Sequence, residues 1–365
     1  MPEPTVARHP TTLFTPPVRR NMLSATGESE SEQAIVVEPF TVHALTGDER
    51  RDAESAAATA TALALKGLLH RLDPHTYLAP TQADAPEALA IATVREIEER
   101  AFTRLAPKLR ALAADDTRLA RLLAPLGPAI DLRGASIGIL RSPKMFNGQM
   151  PKRVTVTPSE PDAPSGPVVV RDGPAARFTR MDLVLRSVHC VDEANVARGA
   201  DHMVLGGVLI GASGVTRVMP SRFLGRFQDD THVSLGDSPF GQFSLRSTPE
   251  FPKVMHAVLQ LVESDQDEAT AARELTRAMS SISTVAVSAL SSSATGAIAG
   301  ALLGTLGAVG ELFVSDAAFA PYGLRIRLED ELAFGPQGDS GPLRTGHIVG
   351  HGGAYRIGFR WVLNA

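Results

Sequence analysis

The 365-residue sequence has a single cysteine, a single tryptophan and few aromatic residues of any kind, about 5% of the chain. One cysteine, Cys190, leaves no pair for an intrachain disulfide. We interpret Cys190 as a small buried hydrophobic residue on a strand. The shortage of aromatic side chains predicts a core built from Leu, Val, Ile and Ala.

A basic surface is also lacking, because the formal net charge is −4 and the pI is about 6.2. General nucleic-acid binding needs a basic face, so we expect no nucleic-acid partner. The opening MPEPTVARHPTTLF has no continuous apolar run, which excludes a standard secretory signal. We therefore expect synthesis in the cytoplasm, and any export would need a dedicated secretion system.

Composition and periodicity divide the chain into three predicted regions. Residues 1–50 are rich in Pro, Thr, Ser and Glu, and we expect them to be disordered or loosely attached, with AIVVEPF as one strand. Residues 51–127 form a helical region: 52–72 is Ala-rich, and 86–124 carries apolar residues at spacings of three and four. Pro107 is expected to kink or divide the second of these segments.

Residues 128–365 are predicted to form a β-sandwich domain with a helical insertion at 266–314. Short alternating runs with turn signals between them, such as MDLVLRSVHC, FGQFSLR, YGLRIRL and AYRIGFRWVL, are typical of sandwiches. Earlier runs, ASIGIL, KRVTVT and GPVVVRD, predict further strands. The expected fold class is thus α+β: a helical N-terminal region followed by an antiparallel β-sandwich with a Gly-rich helical insertion.

The insertion contains a run of 33 residues without charge, from Ala278 to Gly310. Its most apolar part is short for a helix that spans a bilayer, which needs about 20 residues. Small residues on one helix face allow a second helix to approach closely. We name five glycines as a membrane or self-association segment: Gly296, Gly300, Gly304, Gly307 and Gly310. Three interpretations stay open: a buried helical hairpin, insertion into a membrane after a trigger, and an oligomer contact or permanent anchor.

Catalytic motifs are weak. GDSGPL at 338–343 resembles the nucleophile turn of trypsin-like proteases, but it lacks one glycine, and the helical stretch before it does not suit a double β-barrel. His347 and His351 are four residues apart, yet their neighbours favour a strand and a turn over a metal-binding helix. We therefore expect a protein that is not an enzyme.

Acidic residues follow or precede several predicted strands. They are Asp192, Glu193, Asp201, Asp229, Asp230 and Asp237. Calcium prefers carboxylate and carbonyl oxygens that converge from loops. If the loops after 190 and 228 meet at one end of the sandwich, a calcium site is expected there; otherwise these residues are ordinary surface acidity in turns.

Four segments together resemble an uncharacterised group of bacterial proteins: HCVDE at 189–193, PKVMHAVLQLVESD at 252–265, TGAIAGALLGTLGAVG at 295–310 and GHGGAYRIGFRW at 350–361. In that group the final strand has the pattern GHGGxYxxxxRW. The resemblance covers residues 180–365 and implies a β-sandwich with a Gly/Ala-rich helical insert. It implies no established activity.

Two functions follow as expectations. The first is a bacterial effector- or toxin-like protein whose Gly-rich segment engages membranes. The alternative is a soluble structural or binding module that self-assembles, or docks into a larger protein particle, through the same segment. A homo-oligomer is expected in either case.

Overall fold

A computed structural model describes residues 35–123, 130–137, 155–156, 178–193, 200–248, 250–290, 294–313, 317–330 and 343–364. The expected strands in ASIGIL and GPVVVRD lie largely or entirely outside these residues, as does most of the N-terminal segment 1–50. Strand β1 (Ile35–Phe40) matches the run AIVVEPF and pairs with a strand near the C-terminus.

The helices of the first half are α1 (Gly47–Leu72), α2 (Pro86–Arg95), α3 (Glu99–Ala114) and α4 (Asp116–Leu123), and a short 3-10 turn at Val42–Ala44 precedes α1. The apolar stripe expected over 86–124 is thus distributed over three helices. The side chain of Arg71 on α1 stabilises the first break, since it donates 2.8 Å hydrogen bonds to the carbonyls of Val94 and Ile97. Helix α3 continues through Pro107.

Sheet A has the strand order β1-β9-β7-β4-β5-β2, with β8 paired to β7. Its strands after β1 are β2 (Thr155–Val156), β4 (Asp201–Ile210), β5 (Thr216–Phe227), β7 (Lys253–Glu263), β8 (Ala317–Ala318) and β9 (Tyr322–Leu328). Neighbouring strands are antiparallel except for the short β2, which is parallel to β5.

Sheet B has the order β10-β11-β3-β6 and is antiparallel throughout. Its strands are β3 (Arg180–Asp192), β6 (His232–Ser244), β10 (Arg344–Gly350) and β11 (Gly353–Asn364). The inner faces of the two sheets share one hydrophobic core, to which Leu205 of sheet A and Leu185 and Trp361 of sheet B belong. The expected α+β class with an antiparallel sandwich is therefore confirmed.

The outer face of sheet A is covered by helices. Between β7 and β8 the chain forms α5 (Glu268–Ser288) and α6 (Thr295–Phe313), which pack on this sheet. Alternation along β4 and β7 sends Val208 and Val258 into this second core while their neighbours face the sandwich. Helix α1 lies on α6 and α5, and α2 packs on α1, so that α1 and α6 are covered on both sides.

Candidate functional site

The glycine face of α6 is in contact with α1 inside the same chain. A Cβ atom built on Gly300 would lie 2.8 Å from Cβ of Ala53, and one on Gly304 would lie 2.6 Å from Cβ of Ala57. One on Gly296 would collide with Glu49 on the first turn of α1. The close approach that the spacing of these glycines predicts is therefore made to alanines of α1.

The two remaining glycines of the segment have different surroundings. Gly307 is exposed, and a Cβ there would meet nothing closer than Pro321 at 4.0 Å. Gly310 is buried, with the side-chain oxygen of Gln260 on β7 at 3.8 Å from its hypothetical Cβ. The five glycines thus divide between α1, an exposed side and sheet A.

Helix α6 carries no charge through most of its length because it is covered on two sides by apolar surfaces. Its polar tie to α1 is the hydroxyl of Thr305, which donates to Ala301 O at 2.8 Å within α6 and reaches Ala57 O at 3.4 Å. Measured over the described parts of the chain, none of the helices is both long enough and apolar enough to cross a membrane.

The acidic loops after β3 and β5 meet at one end of the sandwich. The backbone N–H of Glu193 donates to Oδ1 of Asp229 at 2.7 Å, and that of Cys190 donates to Thr231 O at 2.9 Å. Desolvation raises the pKa of Glu193, and the nearby carboxylates of Asp229, Asp201 and Asp192 raise it further. This end of the molecule therefore has a negative local field.

The six acidic residues of the calcium prediction do not converge on one point. Asp201 is buried and accepts a 2.6 Å hydrogen bond from the Tyr355 hydroxyl, whose pKa burial and this contact raise strongly. Asp237 lies along β6 and forms ion pairs with Arg186 and Arg360, of which Arg186 does most to lower its pKa. Across the parts of the chain the structure describes, no group of three or more His, Cys, Asp or Glu side chains is placed to hold a metal ion. Calcium binding stays a prediction.

Sheet B carries a feature that the sequence did not reveal. His347, Arg356, His189 and His232 are register partners across all four strands, β10, β11, β3 and β6. The rings of His189 and His232 have their centroids 6.1 Å apart. These residues are scattered over about 170 positions of sequence, so only strand order brings them into one row.

Within the described residues, Cys190, His347 and His351 have separate surroundings. Cys190 is fully buried, and desolvation raises the pKa of its thiol, which keeps it protonated. His347 is on β10, whereas His351 is in the turn that follows, where its Nε2 lies 2.7 Å from Ala318 O. Ser340 of GDSGPL lies outside the described residues.

The buried cation of the helical layer is Lys66, at the middle of α1 and 0% exposed. Its Nζ donates to the carbonyls of Leu132 and Gly134, each at 2.6 Å. Burial lowers the pKa of Lys66, while the carboxylates of Asp131 and Glu87 act in the opposite direction. These bonds attach the segment 130–137 to α1, and they identify Lys66 as a structural anchor.

Comparison with protein-family models, with curated proteins and with solved structures found no match to this chain.

Proposed function

We propose that this protein is a non-enzymatic binding module that self-assembles through the free edge of sheet B. The observation that supports the proposal is the exposure of β10. Within the described residues this strand pairs only with β11, and Val349 on it and Leu343 just before it are 59% and 60% exposed. An edge strand with open N–H and C=O groups is a template for another strand.

The sequence of β10 suits a second copy of itself. Natural edge strands are protected by charged side chains, especially lysine, by proline or by a bulge; RTGHIVG contains neither lysine nor proline, and its one charged residue, Arg344, is at its first position. Exposed and buried residues alternate symmetrically about His347: Thr345 and Val349 are exposed, while Gly346 and Ile348 are buried. Antiparallel pairing about a two-fold axis at His347 would place like faces together, as an isologous contact requires.

Helix α6, the segment expected to mediate assembly, is already covered by α1, and this favours β10 as the assembly surface. Its glycines at 296, 300 and 304 are packed against α1. Assembly through the same glycines would first require α1 to leave, whereas β10 is paired on one side only among the described strands.

Light scattering over a concentration series tests the proposal. We expect a dimer for the wild type and a monomer for Val349→Lys, because a lysine on an edge strand opposes pairing. Ser234→Lys is the matched control, since Ser234 is exposed on β6, the other edge strand of sheet B. A wild type that is monomeric at every concentration, or a dimer that persists in Val349→Lys, would contradict the proposal.

Membrane engagement by an effector- or toxin-like protein is the second candidate. It is favoured by α6 itself, an almost uncharged helix held to α1 mainly by contacts between small apolar side chains. Movement of α1 would expose this helix. Gly307→Glu is a suitable probe, since the site is open and the variant is expected to fold while it places a charge on the inserting helix.

Liposome flotation at neutral and acidic pH tests the second candidate, with Gly307→Ala as the control. Binding by the wild type and by Gly307→Ala, together with loss of binding in Gly307→Glu, is the expected pattern for insertion. Absence of wild-type binding at every pH would eliminate this function.

A further inference from the structure

Two histidines face each other on neighbouring strands at the acidic end of sheet B. His189 of β3 and His232 of β6 are register partners, and their ring centroids are 6.1 Å apart. Both rings reach the surface: the His189 side chain is 29% exposed, and His232 is exposed. Zinc–imidazole nitrogen distances are about 2.0–2.1 Å, so two rings that bind one ion have their centroids roughly 5–6 Å apart. The observed separation is close to this range.

A carboxylate lies beside the same pair. Oδ1 of Asp230 is 3.8 Å from Nε2 of His189. Asp230 occupies the tight turn between β5 and β6 with φ of 59°, a conformation that few residues other than glycine, asparagine and aspartate adopt readily. Hydrogen bonds between Gln228 and Thr231, each of 3.0 Å, hold this turn in place. The backbone therefore fixes the position of Asp230 while its side chain, 93% exposed, is free to rotate.

The surroundings favour a cation at this point. The carboxylates of Asp192, Asp229 and Glu193 lie at the same end of the sandwich, and their mutual repulsion contributes to the raised pKa of Glu193. Arg356 is on the far side of His189 in the cross-strand row, opposite to His232. A divalent ion between His189 and His232 would thus have acidic groups nearby, while Arg356 lies on the side of His189 away from the ion.

We propose that His189, His232 and Asp230 bind a divalent first-row transition-metal ion of the zinc class. Two imidazoles and one carboxylate are the ligands these ions prefer, and water would complete the coordination. The three side chains are not preassembled, in agreement with the absence of a ready metal group among the described residues. The exposed Asp230 side chain can rotate to bring its carboxylate onto an ion held by His189 and His232, so that binding orders the site.

The experiment is titration of the full-length protein, freed of metal with a chelator, with ZnCl₂ and CoCl₂. We expect His189→Gln and His232→Gln each to abolish binding of one ion or to lower its affinity about tenfold or more. Asp230→Asn, which tolerates the same backbone conformation, is expected to weaken it less. His75→Gln, which alters an exposed histidine in the loop after α1, is the control and is expected to bind like the wild type. The visible d–d absorption of bound Co²⁺ provides a second readout, because it reports the coordination of the ion.

Two results would overturn the proposal: no difference in metal stoichiometry between the wild type and the double variant His189→Gln/His232→Gln, or a cobalt spectrum that is unchanged in that variant. A parallel titration with CaCl₂ separates this site from the acidic loops, because calcium prefers oxygen ligands and is expected to be indifferent to both histidines. Circular dichroism of each variant verifies folding, and His189→Asn with His232→Asn is a second pair if glutamine disturbs the strands.

Discussion

The two faces of sheet A are packed against cores of very different composition. The core shared with sheet B contains the aromatic residues Phe227, Phe243, Phe359 and Trp361 among others. The core shared with the helices is rich in alanine, with Ala53, Ala60, Ala297 and Ala301 among its members. Stacked sheets are about 10 Å apart and need large side chains to fill the gap. Two helices that cross through glycine and alanine come much closer, so large side chains have no place there.

The two faces of sheet A are therefore stabilised by two different kinds of packing. In the sandwich core, stability depends on filling volume, and loss of a large side chain is the expected weakness. In the helical core, the contact between α1 and α6 depends on the absence of side chains at Gly296, Gly300 and Gly304, and gain of a single methyl group there is the expected weakness.

Trp361→Ala is expected to have the largest effect. The indole is 1% exposed and lies between Phe243, with centroids 5.8 Å apart, and Phe359, at 6.2 Å. Truncation of a buried aromatic side chain costs about 3–5 kcal/mol. Urea unfolding followed by circular dichroism measures the change, and Trp361→Phe is the control that keeps most of the volume. If Trp361→Ala lowers the free energy of unfolding less than Gly300→Ala does, loss of volume in the sandwich core is not the more serious weakness.

His256 makes the helical face of sheet A sensitive to acid. It is 2% exposed on β7, its ring contacts Phe40 of β1 edge-on at 4.7 Å between centroids, and desolvation with a further contribution from Arg325 lowers its pKa from 6.5 to about 4. The folded protein binds the proton less well than the unfolded chain, so this contribution to stability is complete above about pH 6.5 and is lost as the pH falls toward 4. The lost free energy is about 3 kcal/mol by linkage.

Melting temperatures of the wild type and His256→Leu between pH 7.5 and 4.5 test this prediction. We expect the decrease at low pH to be smaller in His256→Leu, and unchanged in His75→Gln, which replaces an exposed histidine. Equal acid sensitivity in all three proteins would show that the proton is taken up elsewhere.

Gly300→Ala is expected to destabilise the helical core by about 1–3 kcal/mol. Its new methyl group would lie 2.8 Å from Cβ of Ala53 and 3.0 Å from Leu45, so α1 and α6 have to separate. Chemical denaturation gives the value. A neutral or stabilising result would mean that the two helices are not in close contact in solution.

Gly307→Ala is the matched substitution on the same helix, and its expected effect on stability has the opposite sign to that of Gly300→Ala. The site is on the same helix, exposed, and open to 4.0 Å around the new Cβ. Because alanine favours a helix over glycine by about 1 kcal/mol, we expect a stabilisation of up to that amount, measured in the same denaturation series. If both alanine variants stabilise the protein, intrinsic helix propensity and not the α1–α6 contact dominates the segment.

The sequence identified the elements well wherever a local pattern determined them. Alternation predicted the sandwich strands, since period two places every second residue in a core irrespective of what covers the other face. The spacing of Gly296, Gly300 and Gly304 correctly predicted one closely packed helix face. It did not identify the helix on the other side, because the alanines of α1 have no periodicity that distinguishes a partner. The break between α2 and α3 was missed, since the carbonyls of Val94 and Ile97 accept hydrogen bonds from Arg71, a residue over 20 positions away.

The class of the fold, the location of the helical insertion and the need for close packing along α6 could therefore be predicted from local sequence patterns. Those properties come from hydrophobic periodicity and from side-chain size, which act over a few residues. The tertiary structure alone decided that α1 fills the glycine face, that Asp201 turns inward to Tyr355, and that His189 and His232 stand side by side. Each of these depends on strand order and helix docking, which bring together residues that are far apart in sequence.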